Sequence, residues 1–321
     1  MALNASHSRA SQSGLRVALL AGGDSAERDI SLISGEQVCA ALRRAGHHVS
    51  VFDPATCEIE SIPWDDFDAC FLALHGGAGE DGRIQQRLEK LGVCFTGSGS
   101  AASRLAMCKS ASKERFLQAG LPTLPYVLIH SEDSPDEILQ RTAGLPAPMV
   151  VKPDSQGSSL GLGLAETPEE LCAAIDQALA LDSFALVEPC VVGREFTVAV
   201  LGRRALPIVE IVTPDGWFDY EAKYECAMTV HCFESELMTE QVAEIEQLAI
   251  AAVEALGATG LSRVDIMVDR RGRPWLLEVN TIPGLTPHSL APKAAARIGM
   301  DLAMLCEWML EECLATSEAN R

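Results

Sequence analysis

The chain has 321 residues, 48% of them hydrophobic and 22% charged, an ordinary globular composition with room for two or three domains. Its formal net charge of −20 argues against a general nucleic-acid binder, because holding a phosphate backbone needs clustered Lys and Arg. Any anionic ligand must then be held by a few local cations, by backbone N–H groups or by metal.

Residues 1–13, "MALNASHSRASQS", are polar, have no apolar core segment and read as a tail, not a secretory signal. No apolar run is long enough to span a bilayer and the ends carry no lipidation signal, so no membrane partner is expected. Eleven cysteines without paired metal spacing read as reduced thiols of a cytoplasmic protein.

"RVALLAGG" (16–23) is a buried strand entering a glycine turn, and "AERDISLISGEQVCAALRRAG" is a helix ending at Gly46. "HVSVFD" (48–53) and "ACFLALHGG" (69–77) repeat the strand-into-turn pattern, and "RIQQRLEKLG" is a further helix. Residues 14–97 are therefore expected to form a small parallel-sheet domain, whose strand ends carry Glu27 and His75. "TGSGSAA" (96–102) resembles a dinucleotide fingerprint but lacks the acidic residue after a second strand, and reads as a helix-entry turn. A helix through Lys109 and Lys113 stops at Gly120, and "LPTLPY" is an extended connector.

"VVKPDSQGSSLGLGLAE" (150–166) runs from an apolar strand through Lys152 into a loop of Ser155, Gly157, Ser158, Ser159, Gly161 and Gly163. Backbone N–H groups and hydroxyls of such a flap can wrap phosphate oxygens while the lysine supplies a point charge. Thr167 and Glu170, with Pro168 between them, form a capping box at the next helix. Two strands follow in 184–202 with Glu188 between them, and "TEQVAEIEQLAIAAVEALG" (239–257) is an amphipathic helix closed by glycine.

"SRVDIMV" and "WLLEVN", joined by "DRRGRP", read as an antiparallel hairpin. Side chains two apart on a strand share a face, so Arg263 pairs with Asp265 and Glu278 with Asn280. With both pairs on one side, two carboxylates and an amide oxygen form a set suited to Mg²⁺; otherwise this is simply the wet face of a sheet. "TIPGLTPHSL" (281–290) follows, where Gly284, like Gly76 and Gly77, lets a ligand approach the backbone.

Seven stretches in this order, "GGDSAERDISL", "LHGGAGEDG", "VKPDSQGSS", "EFTVAVLG", "DYEAKY", "SRVDIMV" and "LLEVNTIPGLTPHSL", resemble the D-alanine–D-alanine ligase family of the ATP-grasp superfamily. The resemblance covers nearly the whole chain. It implies an α/β protein (α+β in the C-terminal half) with an ATP-grasp fold behind an N-terminal parallel-sheet domain. The expected divisions are 14–97 for substrate, 98–189 for the central ATP-grasp part and 190–321 for the metal-binding part.

Carried over position by position, it implies that Lys109, Lys152 and Lys223 contact ATP phosphates under the flap of Ser155, Gly157 and Ser159. Backbone from Glu188 to Val191 would hold adenine, with the Glu188 carboxylate near its amino group, and Glu195 the ribose. Asp265, Glu278 and Asn280 would hold two Mg²⁺ (or Mn²⁺) ions. Glu27 would receive the ammonium of the first D-alanine and hydrogen-bond with Ser158 and Tyr224, with His75 nearby. Arg263 and the Gly284 N–H would stabilise the oxyanion, and Ser289 and Leu290 would receive the second D-alanine. A homodimer is also implied.

Two positions depart from the family pattern. Cys108 stands where an Asp usually precedes the first phosphate lysine, and His231 replaces a common tyrosine in the loop after Tyr224. A D-alanine–D-lactate ligase and an inactive ATP-binding relative are the alternatives. The tyrosine of "EAKY" disfavours the first, and intact Arg263, Asp265, Glu278 and Asn280 disfavour the second.

Overall fold

A computed structural model of the chain describes residues 14–212, 230–233 and 236–319. The expected tail at 1–13 and the loop carrying Lys223 and Tyr224 lie outside the described residues.

β1 (Arg16–Leu20), β2 (His48–Phe52) and β3 (Ala69–Leu72) form a parallel sheet in the order β2-β1-β3. Helix α1 (Arg28–Arg44) joins β1 to β2, and α2 (Arg83–Lys90) follows β3. Val17, Leu19 and Phe71 on one face are buried with Val38 and Leu42 of α1. Leu20, Cys70 and Leu72 on the other meet Ile84 and Leu88 of α2. Both faces of β1 and β3 are covered, which is why those two strands read as apolar runs, while edge strand β2 buries only Val49.

Helix α3 (Ser100–Met107) starts where the glycine-rich turn predicts, and α4 (Lys109–Gln118) carries the two lysines. Cys108 separates them with an extended backbone, φ −84° and ψ 104°. Next come β4 (Val127–His130), α5 (Pro135–Thr142), β5 (Met149–Pro153), β6 (Gly163–Ala165), α6 (Pro168–Leu179) and β7 (Phe184–Pro189). The four strands pair antiparallel in the order β4-β7-β5-β6 and bury one face against α5 and α6. The capping box of Thr167 and Glu170 is present at the start of α6. Glu188 lies inside β7, opposite Val150, and not between two strands as the sequence suggests.

The third sheet contains β8 (Gly193–Leu201), β9 (Arg204–Ala205), β10 (Val209–Val212), β11 (Val230–Cys232), β12 (Leu261–Asp269) and β13 (Pro274–Asn280). Its order is β11-β10-β8-β12-β13, with β9 on β8. Phe196, Val198, Val264 and Ile266 pack against Ile245, Ala249 and Val253 of α7 (Thr239–Leu256). Each such fully buried large side chain contributes about 1.5–3 kcal/mol, and together they press this sheet onto its helix. On the opposite face Ala199, Leu201 and Leu261 join the core of the first sheet, and polar groups occupy the rest, from Arg263 and Asp265 to Thr197 and Glu195. Helices α8 (Leu290–Arg297) and α9 (Leu302–Ala319) complete the chain, and Leu305, Met309 and Leu310 of α9 join the core of the first sheet. No helix among the described residues is long and apolar enough to cross a membrane.

Candidate active site

The β12–β13 hairpin sets the chemistry of the polar face. Arg263 lies opposite Asn280 and Asp265 opposite Glu278, so all four side chains share one side. The register shifts by one residue between Asp265 and Ile266, which keeps Leu276 buried opposite Ile266 while Glu278 stays on the polar face. Arg263 forks onto Asp265 with Nε–Oδ1 at 3.0 Å and Nη2–Oδ2 at 2.9 Å, and Thr197 Oγ1 donates to Asp265 Oδ1 at 2.6 Å. Asn280 Oδ1 accepts from the Ile282 N–H at 2.8 Å. Among the described residues no three His, Cys, Asp or Glu side chains cluster to hold a metal. Two carboxylates and an amide oxygen are nevertheless a set that fits Mg²⁺, which takes its remaining ligands from phosphates and water.

Helix α4 joins this face to the second sheet. Lys109 and Lys113 are four apart and so lie on one side of the helix. Lys109 Nζ stands 3.9 Å from Glu278 Oε2 and donates to the Gln156 carbonyl of the flap at 2.5 Å. Lys113 is fully buried, and its Nζ lies 2.8 Å from Glu188 Oε2. Lys152 Nζ reaches the other oxygen, Glu188 Oε1, at 2.5 Å. Burial alone would raise the Glu188 carboxyl, but the ammonium groups of Lys152 and Lys113 outweigh it and hold it down at about 2. Burial pushes the Lys113 ammonium down, Glu188 opposes this and Lys152 adds to it, so two buried lysines share one carboxylate at a place where an anionic ligand would ease their crowding.

The flap between β5 and β6 reaches the segment between β1 and α1. Ser158 and Ser159 adopt left-handed backbone, φ 52° and 55°, at a cost of about 1–2 kcal/mol each. Ser158 Oγ hydrogen-bonds to Glu27 Oε1. A Cβ on Gly76 would sit 2.6 Å from Glu27 Oε2, and Gly76 has φ 65°, so the close approach that glycine permits there is made by Glu27 itself. An open pocket lies at the ends of β1 and β3, lined by Gly22, Gly23, Ser25, His75 and Gly76 among others.

His75 is buried with both ring nitrogens engaged: Nδ1 donates to the Ile282 carbonyl at 3.2 Å and Nε2 meets Ser34 Oγ at 2.9 Å. It thereby ties the segment after β3 and helix α1 to the loop after β13. Buried Glu80 lies 3.7 Å from His75 Nδ1; burial pushes its carboxyl up, His75 opposes this and Glu27 adds to it. On the far side of the loop, Ser289 is the N-cap residue of α8 and Leu290 its first residue. Ser289 Oγ accepts from the Thr286 N–H at 3.0 Å, and a Cβ on Gly284 would meet that oxygen at 2.6 Å.

This arrangement matches known proteins over nearly its whole length. A family model described as D-ala D-ala ligase C-terminus matches residues 116–311. A D-alanine–D-alanine ligase of Alkalilimnicola ehrlichii is 45% identical over 306 residues, covering 95% of this chain and 96% of its own. The chain belongs to the D-alanine–D-alanine ligase family. Another member, from Halorhodospira halophila, is 46% identical over 93% of this chain and 96% of its own. The crystal structure of the D-alanine–D-alanine ligase from Bacillus anthracis complexed with ATP superposes with a TM-score of 0.84. It covers 96% of this chain and all of that one at 28% identity. The fold is therefore the ATP-grasp fold of these ligases, as the sequence implies.

Of the residues named from the sequence, Asp265, Glu278, Asn280 and Arg263 meet on one face, and Glu195 lies on the same side of neighbouring β8, opposite Met267. Lys109 and Lys152 enter from α4 and β5, while Val191 lies in the short link between β7 and β8. Lys223 and Tyr224 fall outside the described residues. Sequence reasoning missed Lys113, Glu80, Thr197 and Asp154. For Lys113 a signal existed, its spacing of four from Lys109 within one helix.

Proposed function

We propose that this protein joins two D-alanines into D-alanyl-D-alanine with hydrolysis of ATP to ADP and phosphate, supplying a peptidoglycan precursor. The observation that carries this reading is the convergence at the flap. Lys109 meets Glu278 and the flap carbonyl of Gln156, while Ser158 two residues on meets Glu27. Phosphate cations and an acceptor for a substrate ammonium thus converge on one short segment.

A carboxylate is a poor electrophile, so the first D-alanine attacks the γ-phosphate of ATP and becomes an acyl phosphate, releasing ADP. The amine of the second D-alanine then attacks the acyl carbon, and the tetrahedral intermediate expels phosphate. Glu27, oriented by Ser158, holds the first ammonium, and His75 fixes the loops beside it. Arg263 and the Gly284 N–H offset charge on the acyl oxygen. Lys109, Lys152 and Lys223 neutralise the phosphates, with Ser155, Gly157 and Ser159 closing over them and excluding water from the acyl phosphate.

Adenine lies along the backbone from Glu188 to Val191, with the ribose on Glu195. The second carboxylate sits at Ser289 and Leu290, where a helix N-terminus favours an anion. Asp265, Glu278 and Asn280 would hold Mg²⁺ or Mn²⁺, which supplies charge neutralisation of the transferring phosphoryl group. The active form is a homodimer working in the cytoplasm, and sedimentation at working concentration tests the dimer.

Phosphate release with ATP and Mg²⁺ is expected with D-alanine and not with L-alanine. With mixed D-alanine and D-lactate at pH 8 the dipeptide should dominate. An ester-dominated product at that pH would overturn the reading. Glu278→Gln should abolish turnover while melting like wild type, because an amide lacks the charge a divalent ion requires. Near-normal activity in saturating Mg²⁺ would remove Glu278 from the metal set.

A further inference from the structure

Helix α4 begins without a cap from its own N-cap residue. Cys108 occupies that position, and no side-chain capping bond comes from it. A helix start leaves backbone N–H groups without partners, and an oxygen-bearing side chain usually satisfies one of them. Here the oxygen arrives from 44 residues further along the chain. Asp154 Oδ1 accepts from the Ser110 N–H at 2.7 Å, and Oδ2 accepts from Ser110 Oγ at 2.8 Å and from Cys108 Sγ at 3.1 Å. Asp154 is buried and is the first residue after β5, at the root of the flap.

The same junction grips Lys109 at both ends. The Lys109 N–H donates to the Asp154 carbonyl at 2.9 Å, and Lys109 Nζ donates to the Gln156 carbonyl. Burial pushes the Cys108 thiol up, and the Asp154 carboxylate adds to this, so the sulfur keeps its proton and serves as a donor. The negative charge also sits where the helix dipole favours it.

We propose that Asp154 is a positioning residue of this ligase, capping α4 from the root of the flap and so holding Lys109 and the flap in one register over the nucleotide phosphates. This rests on the assignment of Lys109 to the phosphates. The carboxylate that an N-cap residue would normally supply has moved to the flap, and the thiol at Cys108 leaves room for it. A second carboxylate at position 108 would stand against Asp154 and repel it. With Asp154 neutralised, an Asp at position 108 could cap the helix directly, through the N–H groups of Ser110 or Ala111.

The test is a four-way comparison of wild type, Cys108→Asp, Asp154→Ser and the double variant, measuring ATP affinity, ATP KM, kcat and melting temperature. An N-cap corresponds to about 2- to 30-fold in an equilibrium. Each single variant is expected to lose ATP affinity in that range with a smaller change in kcat. The double variant should return to within about threefold of wild type, because the carboxylate has been moved and not lost. Asp154→Asn, which keeps the shape, should lose ATP affinity with a smaller loss of melting temperature. Single variants that melt earlier but bind ATP normally would overturn the proposal, as would a double variant no better than the worse single. Lys109→Met separates the two ideas. If it weakens ATP while the Asp154 variants do not, this inference alone fails; if it leaves ATP binding intact, the phosphate role of Lys109 fails and the inference with it.

Discussion

Replacing Lys113 with Met is predicted to damage ATP binding more than folding. The Lys113 Nζ lies 2.8 Å from Glu188 Oε2 and donates to Thr123 Oγ1 at 2.9 Å and the Leu124 carbonyl at 3.3 Å. Met keeps the apolar stem and removes the charge. Without nucleotide, Glu188 still has Lys152, so the fold loses hydrogen bonds from a charged donor, about 1.5–3 kcal/mol, offset in part because no second ammonium is buried. The difference appears if Lys152 turns to a phosphate, the role proposed for it above. Glu188 would then be a buried carboxylate without a counterion, a penalty of about 3–5 kcal/mol, or roughly two to four orders of magnitude in ATP affinity. Taking up a proton is no easy escape at pH 7, since for a carboxyl of ordinary pKa 4.5 that costs about 3 kcal/mol. The defect should therefore shrink as pH falls toward 6, a signature that a purely structural role lacks. Calorimetric ATP binding at pH 6 and 8, beside thermal melts, provides the measurement. A variant that melts earlier but binds ATP as wild type does would refute the argument.

Glu27→Gln should lower kcat/KM for the first D-alanine by about 10- to 150-fold, the worth of a charge-assisted hydrogen bond, with ATP affinity nearly unchanged. A selective loss of ATP binding would contradict this role. Gly284→Ala places a Cβ 2.6 Å from Ser289 Oγ and must displace that serine. It should raise the KM for the second D-alanine by on the order of tenfold while sparing the first, as resolved by two-substrate kinetics. Because the Glu188 carboxyl is depressed from 4.5 to about 2, its stabilisation is present in full above pH 4.5 and is lost as the pH falls through 2. In urea melts between pH 7 and pH 2, the advantage of wild type over Glu188→Gln should shrink only below pH 4.5; an unchanged gap at pH 2 would rule out ionised Glu188 as its source.

The hairpin was legible because alternation and turn chemistry are local. "SRVDIMV" puts Arg263 with Asp265 and "WLLEVN" puts Glu278 with Asn280 whatever surrounds them; that the two pairs share one face is not local, and the register shows that they do. The capping box at Thr167 was legible for the same reason. Lys113 was not, because lysine is almost never fully buried and only a tertiary partner, Glu188, makes its burial tolerable. Asp154 carries no local signal, since its target at Ser110 lies on a separate helix. The break at Cys108 carried no Gly or Pro to announce it. The family resemblance supplied roles for residues such as Glu27 and Ser289, whose spacing alone says nothing of substrate.

The first sheet shares its core with the last helix. Val17, Leu19 and Phe71 are buried together with Leu305, Met309 and Leu310. On the ribosome, the N-terminal strands therefore emerge long before the side chains that cover them. The roughly 230 intervening residues take on the order of 10–50 s to synthesise at about 5–20 residues per second. Over that interval the face is shielded by α1 alone, through Val38 and Leu42, and the part that α9 completes stays open to chaperones and to neighbouring polypeptides. Early termination near the C-terminus would be harmful out of proportion to the length removed, because it strips the lid from the part of the protein that was made first.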